Sequence, residues 1–296
     1  MKIFNLIVFS ILLYSFNLSA DDKEEAKKNV LQGFSDSLSS AIAGLIGGEG
    51  DTEIQITIAE EYHPEFSIMT VRPLAAHPGV DAWFVQIQLN DTKIRGKRRF
   101  AFNSGVGYRK LSENKNSMLG ANLFLDYDEE GNSRSSLGLE LRSTAFEAIA
   151  NYYAALSGAN TVGSYTERSL DGFDISLIGE VPYLPWANII ATHYEWTADK
   201  NSKSSQGDKL SLELVVTPNI IIEGGVDDNN IDGTSNFAKA YFVFPARNRV
   251  AASNKLIGES AFSVGDMSGE LLSKVRRTNK QAIESEGSGV VMAKTK

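Results

Sequence analysis

Three histidines come first for any chemistry, because imidazole is the side chain that serves most readily as base, proton relay or metal ligand near neutral pH. His63 and His77 fall in turn-like surroundings, the latter beside Pro78, whereas His193 stands in an alternating run two residues from Glu195. A hydrolase built on His193 would need a serine nucleophile and a third polar group to orient the ring. It would also need the ring to face a lipid substrate. Tyr194 and Trp196 are the better lipid-facing neighbours, so His193 is expected on the inner side, beside a carboxylate, and no enzyme is expected.

Two oxygen-rich loops invite a metal reading. Asp228-Asn229-Asn230-Ile231-Asp232-Gly233 supplies the first half of a calcium loop, but Lys239 stands where the bidentate Glu is required. Asp126-Tyr127-Asp128-Glu129-Glu130-Gly131 repeats the half-match, with Leu137 at the last position. Ordinary Asp/Asn/Gly turn chemistry accounts for both, and no metal or cofactor is expected. The absence of cysteine among the 296 residues removes disulfide scaffolds, thiolate zinc sites and thiol catalysis.

The sharper constellation is electrostatic. The formal charge is −8, which disfavours a nucleic-acid partner, yet it is unevenly distributed. Residues 246–296 hold nine Lys/Arg against five Asp/Glu, a net of +4, while residues 21–245 carry −13. If the basic tail lies inside the acidic body, Lys274, Arg276 and Arg277 would meet carboxylates such as Glu140, Glu180 and Glu213.

The elements that must position these groups are mostly strands. Lys2 followed by the apolar run Ile3–Phe16 and Ser19-Ala20 has the pattern of a secretory signal peptide, with cleavage expected after Ala20. Val30, Phe34, Leu38, Ile42 and Leu45 then recur at helical spacing, which predicts a short helix within residues 21–50. From Thr52 the period changes to two. Leu119, Ala121, Leu123 and Leu125 alternate with Asn122, Phe124 and Asp126; Leu137, Leu139 and Leu141 alternate with Gly138, Glu140 and Arg142.

Twelve such segments are counted: 52–61, 64–73, 82–91, 98–109, 117–127, 133–142, 145–156, 172–181, 187–198, 208–217, 219–228 and 235–245. Each is about the 9–11 residues that a tilted strand needs to cross a bilayer. Charges at mid-strand, among them Arg109, Asp126, Glu147, Asp174 and Glu223, suit a wet lumen better than a dry core. Aromatic residues near segment ends, Trp83, Tyr183, Trp186, Trp196, Phe242 and Phe244, suit an interfacial girdle. The turns after even-numbered segments are mostly short and Pro-marked, as at Leu184-Pro185 and Thr217-Pro218, and most of those after odd ones are longer and polar. These features predict an all-β fold, a twelve-stranded antiparallel transmembrane barrel over residues 51–245, in contact with outer-membrane lipid.

Three stretches carry a resemblance. Gly105-Val106-Gly107-Tyr108-Arg109, the run Leu119 to Asp128, and Glu167 to Asp174 continuing through Pro182-Tyr183-Leu184-Pro185-Trp186 are similar to the β-domain of the inverse autotransporters, the intimin/invasin family. The resemblance runs from about Thr52 to Asn279. It implies an outer-membrane translocator of type V secretion, with residues 246–280 as a pore-threading linker and 281–296 as a short tail exposed at the surface. It also implies recognition of the last strand, ending Tyr241-Phe242-Val243-Phe244, by barrel assembly machinery and periplasmic chaperones. Longer members carry a peptidoglycan-binding module before the barrel and adhesive immunoglobulin-like domains after it. This sequence has a short helical stretch and a short tail in those places, so adhesion and any host ligand are left unassigned, and a plugged barrel without a passenger is the alternative.

Overall fold

The computed structural model describes residues 49–59, 65–94, 97–200, 203–246, 250–286 and 289–292. The signal peptide and the helix expected before residue 49, and His63, lie outside these residues. In chain order the strands are β1 (Asp51–Ala59), β2 (Glu65–His77), β3 (Asp81–Ile94), β4 (Lys97–Leu111), β5 (Ser117–Asp128), β6 (Ser133–Ser143), β7 (Phe146–Ala155), β8 (Asn160–Val162), β9 (Tyr165–Ser169), β10 (Gly172–Val181), β11 (Leu184–Trp196), β12 (Ser205–Thr217), β13 (Ile220–Asn229), β14 (Gly233–Phe244), β15 (Ala282–Ser285) and β16 (Gly289–Met292).

Twelve of these close a barrel: β1 to β7 and β10 to β14 pair with their neighbours, and β14 returns to β1 antiparallel, with Thr52 opposite Phe244. Closure removes the unpaired strand edges that neither lipid nor water could satisfy inside a membrane. No helix among the described residues is long and apolar enough to cross a membrane. The period-two pattern explains which side faces where. On β6, Leu137, Leu139 and Leu141 are exposed outward, while Arg134, Ser136, Glu140 and Arg142 are buried inside.

Three buried clusters succeed one another along the barrel. Ala82, Leu111, Met118, Met267 and Leu271 cluster toward the end where β4 turns into β5; Met69, Val71, Phe84, Phe124 and Val275 form the middle; Tyr153, Leu170, Tyr194, Trp196 and Ala282 lie toward the opposite end. Two glycines make the middle layer possible. A Cβ at Gly105 would stand 2.3 Å from the Phe124 ring, and one at Gly107 2.3 Å from the Phe84 ring, so both rings lie flat against bare backbone.

A second sheet, in the order β16-β15-β9-β8, was not expected. β8 and β9 fall in what reads as a polar loop between β7 and β10, and β15 and β16 in what reads as tail. Their runs of three to five residues are too short for alternation to reveal, and the β9–β15 pairing, with Ile283 opposite Ser169, joins residues far apart in the chain.

Candidate functional site in the barrel interior

The strands bring carboxylates and cations to the inner wall at spacings that cross-strand register dictates. Arg109 and Glu140 both pair with Gly120 of the strand between them. Without a side chain at Gly120 the two reach across β5, and the Arg109 Nη2 lies 2.9 Å from Glu140 Oε2. The Arg109 guanidinium also stacks on Phe84, 4.6 Å from the ring centroid. On the same wall Arg134 pairs with Asp126 at 2.7 Å, and Asn103 donates to Asp126 at 2.7 Å.

Residues 267–281 lie among these inward side chains. Asp266 starts the approach: its carboxylate accepts the Ser268 amide at 2.7 Å. A 3-10 turn, Ser268–Glu270, comes next. Arg109 then donates to the Leu271 carbonyl at 3.1 Å and to the Ser273 carbonyl at 2.5 Å.

Each later residue finds its own partner. Lys274 Nζ lies 3.0 Å from Glu53 and 3.9 Å from the Tyr241 ring centroid. The Val275 amide donates to Gln86 at 2.7 Å. Arg276 grips Glu213 through two bonds of 3.0 and 2.9 Å, with Glu147 3.2 Å from its Nε. Arg277 forks onto Asp126 at 2.9 and 2.6 Å and lies 4.5 Å from the Phe124 ring centroid. The Thr278 amide donates to the Tyr153 hydroxyl at 2.7 Å, Asn103 donates to the Asn279 carbonyl at 3.0 Å, and Lys280 pairs with Glu65. Gln281 accepts from Ser169 at 2.8 Å. Forked Arg–carboxylate pairs and stacked guanidiniums are the strongest of these contacts.

Among the expected site residues, Arg276 and Glu213 meet. Lys274 and Arg277 find Glu53 and Asp126 instead of the carboxylates named for them. Glu140 is occupied by Arg109, with Asn122 donating at 3.2 Å, and Glu180 accepts the Ser263 amide and hydroxyl at 3.1 and 3.0 Å. Glu140 thus acts on residues 271–273 through Arg109, and Glu180 holds the chain before it turns inward.

The girdle reading divides. Trp83 is exposed on the outer face, its ring tilted 38° against that of Tyr108 with centroids 4.9 Å apart; Tyr183 and Phe244 are exposed, and Phe242 shares a face with Phe244. Trp196 does not belong there. It is fully buried, packed against Tyr153 with centroids 5.0 Å apart, and Tyr194 is buried beside it. Trp186 is half-buried against the cluster formed by Val215, Ile221, Tyr241, Val243 and Ala251 and donates to the Leu256 carbonyl at 2.9 Å. The phase of β11 is hidden because Ile189 and Ile190 put an apolar residue on each face.

The same reversal turns His193 outward. Its Nδ1 lies 2.9 Å from Asp208 in an exposed pair, not beside an inner carboxylate. No serine hydroxyl hydrogen-bonds the ring among the described residues. The oxygen-rich loops are turns: Asp128 Oδ1 accepts the Glu130 and Asn132 amides, and Asn229 Oδ1 those of Ile231 and Asp232. Gly131 and Gly233, at φ of +90° and +72°, supply the left-handed residue each turn needs.

A closed barrel with an apolar outer band and a charged interior defines an outer-membrane β-barrel protein. The model of the inverse autotransporter β-domain matches residues 11–279, and the chain belongs to that family. Family and fold together imply an outer-membrane location. A solved chain described as "Unveiling the Mechanism Behind the in-meso Crystallization of Membrane Proteins" superposes with a TM-score of 0.64 at 20% identity, over 80% of this chain and 100% of that one. The KdgM porin gives a TM-score of 0.44 at 7% identity, over 65% of this chain and 98% of that one. The first of these likenesses concerns the fold alone. No match was found among curated proteins.

Proposed function

We propose that the chain is exported by its leader, residues 1–20, inserts in the outer membrane, and passes its own segment 267–281 through the barrel, so that the residues beyond Gln281 are displayed at the cell surface. The carrying observation is the order of partners. Met267 donates to Lys115 in the β4–β5 turn, and successive residues then meet side chains progressively nearer the other mouth, until Lys280 meets Glu65 at the start of β2 and β15 pairs with β9. At about 2.0 Å per residue through the turns at 268–273 and about 3.3 Å per residue beyond them, residues 267–281 reach up to roughly 38 Å, more than the ~30 Å hydrocarbon core.

The reading is of type V secretion by a non-enzymatic barrel. The aromatic last strand is the surface offered to assembly machinery and chaperones, and the displayed portion is the place for any adhesive partner. The second reading, a plugged barrel without display, is favoured by the pairing of β15 with β9 across the far mouth. An epitope placed after Lys296, combined with protease treatment of intact cells, separates them. Loss of the epitope is expected; its protection, with the barrel present in the outer-membrane fraction, would refute display.

A further inference from the structure

Before turning inward, the chain tracks the rim of the barrel at the short-turn end. Residues 250–267 are fixed there by backbone hydrogen bonds: the Ala252 amide donates to Val215 (2.9 Å), Gly258 to Tyr183 (2.8 Å), Tyr183 to Ala261 (2.9 Å) and Met267 to Lys115 (2.8 Å). The Gly265 amide adds a bond to the Thr144 hydroxyl at 3.1 Å. A strap held so closely still presents large apolar side chains outward. Leu256, Ile257, Phe262 and Val264 are 66%, 72%, 51% and 82% exposed. An apolar surface of this kind on a rim calls for an apolar medium against it.

Between the strap and the outer wall lies a groove of about 500 Å³, within the range of small-molecule sites. Phe262 and Val264 form one side; Ala145, Phe146 and Gly179 form the other. Phe146 and Gly179 are register partners on β7 and β10, and the outward-facing Leu177 lies two residues further along β10. The groove is therefore continuous with the surface that faces lipid. Gly179 opens it: a Cβ there would meet nothing within 4 Å. At one end sits Asn116, whose buried side-chain oxygen has no hydrogen-bond partner.

We propose that this groove holds one acyl chain of a phospholipid from the leaflet at the short-turn end, and that the strap side chains lie in the same leaflet. Continuity with the lipid-facing wall favours lipid over a second copy of the chain. The groove is a built site because its outer side is held to the barrel by backbone and Thr144 hydrogen bonds.

The test uses the full-length protein in vesicles of phosphatidylethanolamine and phosphatidylglycerol, with native mass spectrometry after release. The wild-type protein should retain one phospholipid. Gly179→Trp, which fills the groove from a strand position open to any residue, should retain at least fivefold less, as should the double variant Phe262→Ser/Val264→Ser, which removes the outer side. Heat-dependent gel mobility checks that each barrel has formed. Because the chain has no cysteine, Val264→Cys carries a nitroxide at one place only. Its relaxation should be faster with oxygen than with an aqueous nickel reagent. Equal retention in all three proteins, a lipid-free dimer, or a nitroxide exposed to the nickel reagent would overturn the proposal.

Discussion

Reversing the two arginines of the inner segment tests whether ion pairs hold it in the barrel. Arg276 faces Glu213 at 2.9 Å and Glu147 at 3.2 Å; Arg277 faces Asp126 at 2.6 Å. Removing one partner of a buried pair costs about 3–5 kcal/mol, so losing both would cost roughly 6–10 kcal/mol if the two sites were independent. They share one segment and a polar interior, which places the expected effect at the low end, about 6 kcal/mol. Moving a two-state equilibrium from 1:99 to 99:1 requires about 5.5 kcal/mol. Arg276→Glu/Arg277→Glu should therefore shift the segment from docked to released, whereas Arg277→Glu alone should fall short, because Arg134 still neutralises Asp126. In planar bilayers the double variant should raise single-channel conductance and the single variant should raise it less. Unchanged conductance in the double variant, with heat-dependent mobility showing a closed barrel, would refute the ion-pair account. A Glu213→Lys change added to Arg276→Glu alone should bring the conductance back toward the wild-type level.

Arg109→Met removes the group that joins Glu140 to the carbonyls of Leu271 and Ser273, and a loss of about 3–5 kcal/mol is expected in urea unfolding monitored by tryptophan fluorescence. Gly105→Val drives a side chain into the Phe124 ring and should cost about 1–3 kcal/mol in the same assay, with equal stability counting against the packing described. Glu284 accepts the Asp199 and Lys200 amides at 3.0 Å, so Glu284→Ala should speed hydrogen exchange of residues 282–285 by about 10- to 100-fold while leaving β5 and β6 unchanged. His193→Ala should leave phospholipid hydrolysis in a vesicle screen at the wild-type level, and a loss of hydrolysis would make His193 catalytic.

Strands such as β5 and β6 were legible in the sequence because leucines occupy every second outward position and charges the inward ones. Strand ends shifted by a few residues: β12 begins at Ser205 and β14 at Gly233, so the loops before them are shorter than their polar composition suggests. The phase of β11 was illegible for the opposite reason to the leucine strands, since branched apolar residues occupy both faces and Tyr194 and Trp196 fit either an outer girdle or an inner cluster. The polarity of the interior was readable, but the pairing was not. Which carboxylate meets which cation depends on azimuth and depth in the barrel: Lys274 meets Glu53, 221 residues away, and Arg277 meets a carboxylate already held by Arg134. The arginine that contacts the segment backbone most, Arg109, lies in one of the runs that carry the family resemblance, yet nothing in its neighbours distinguishes it from a wall residue.

The rim strap has a mechanical consequence. A pull applied to the far end of the chain would reach β14 last, and β14 is the strand that closes the barrel against β1. Without the strap, that load would peel β14 from β1 one hydrogen bond at a time. With it, tension passes first through the inner ion pairs on β1, β5 and β12, and then through bonds to the turns after β4, β6, β10 and to the end of β12. These anchors sit on different strands and turns around the barrel, so no one of them carries the whole load alone. The closing seam is shielded from force by the strap whose Phe262 and Val264 also form one side of the groove.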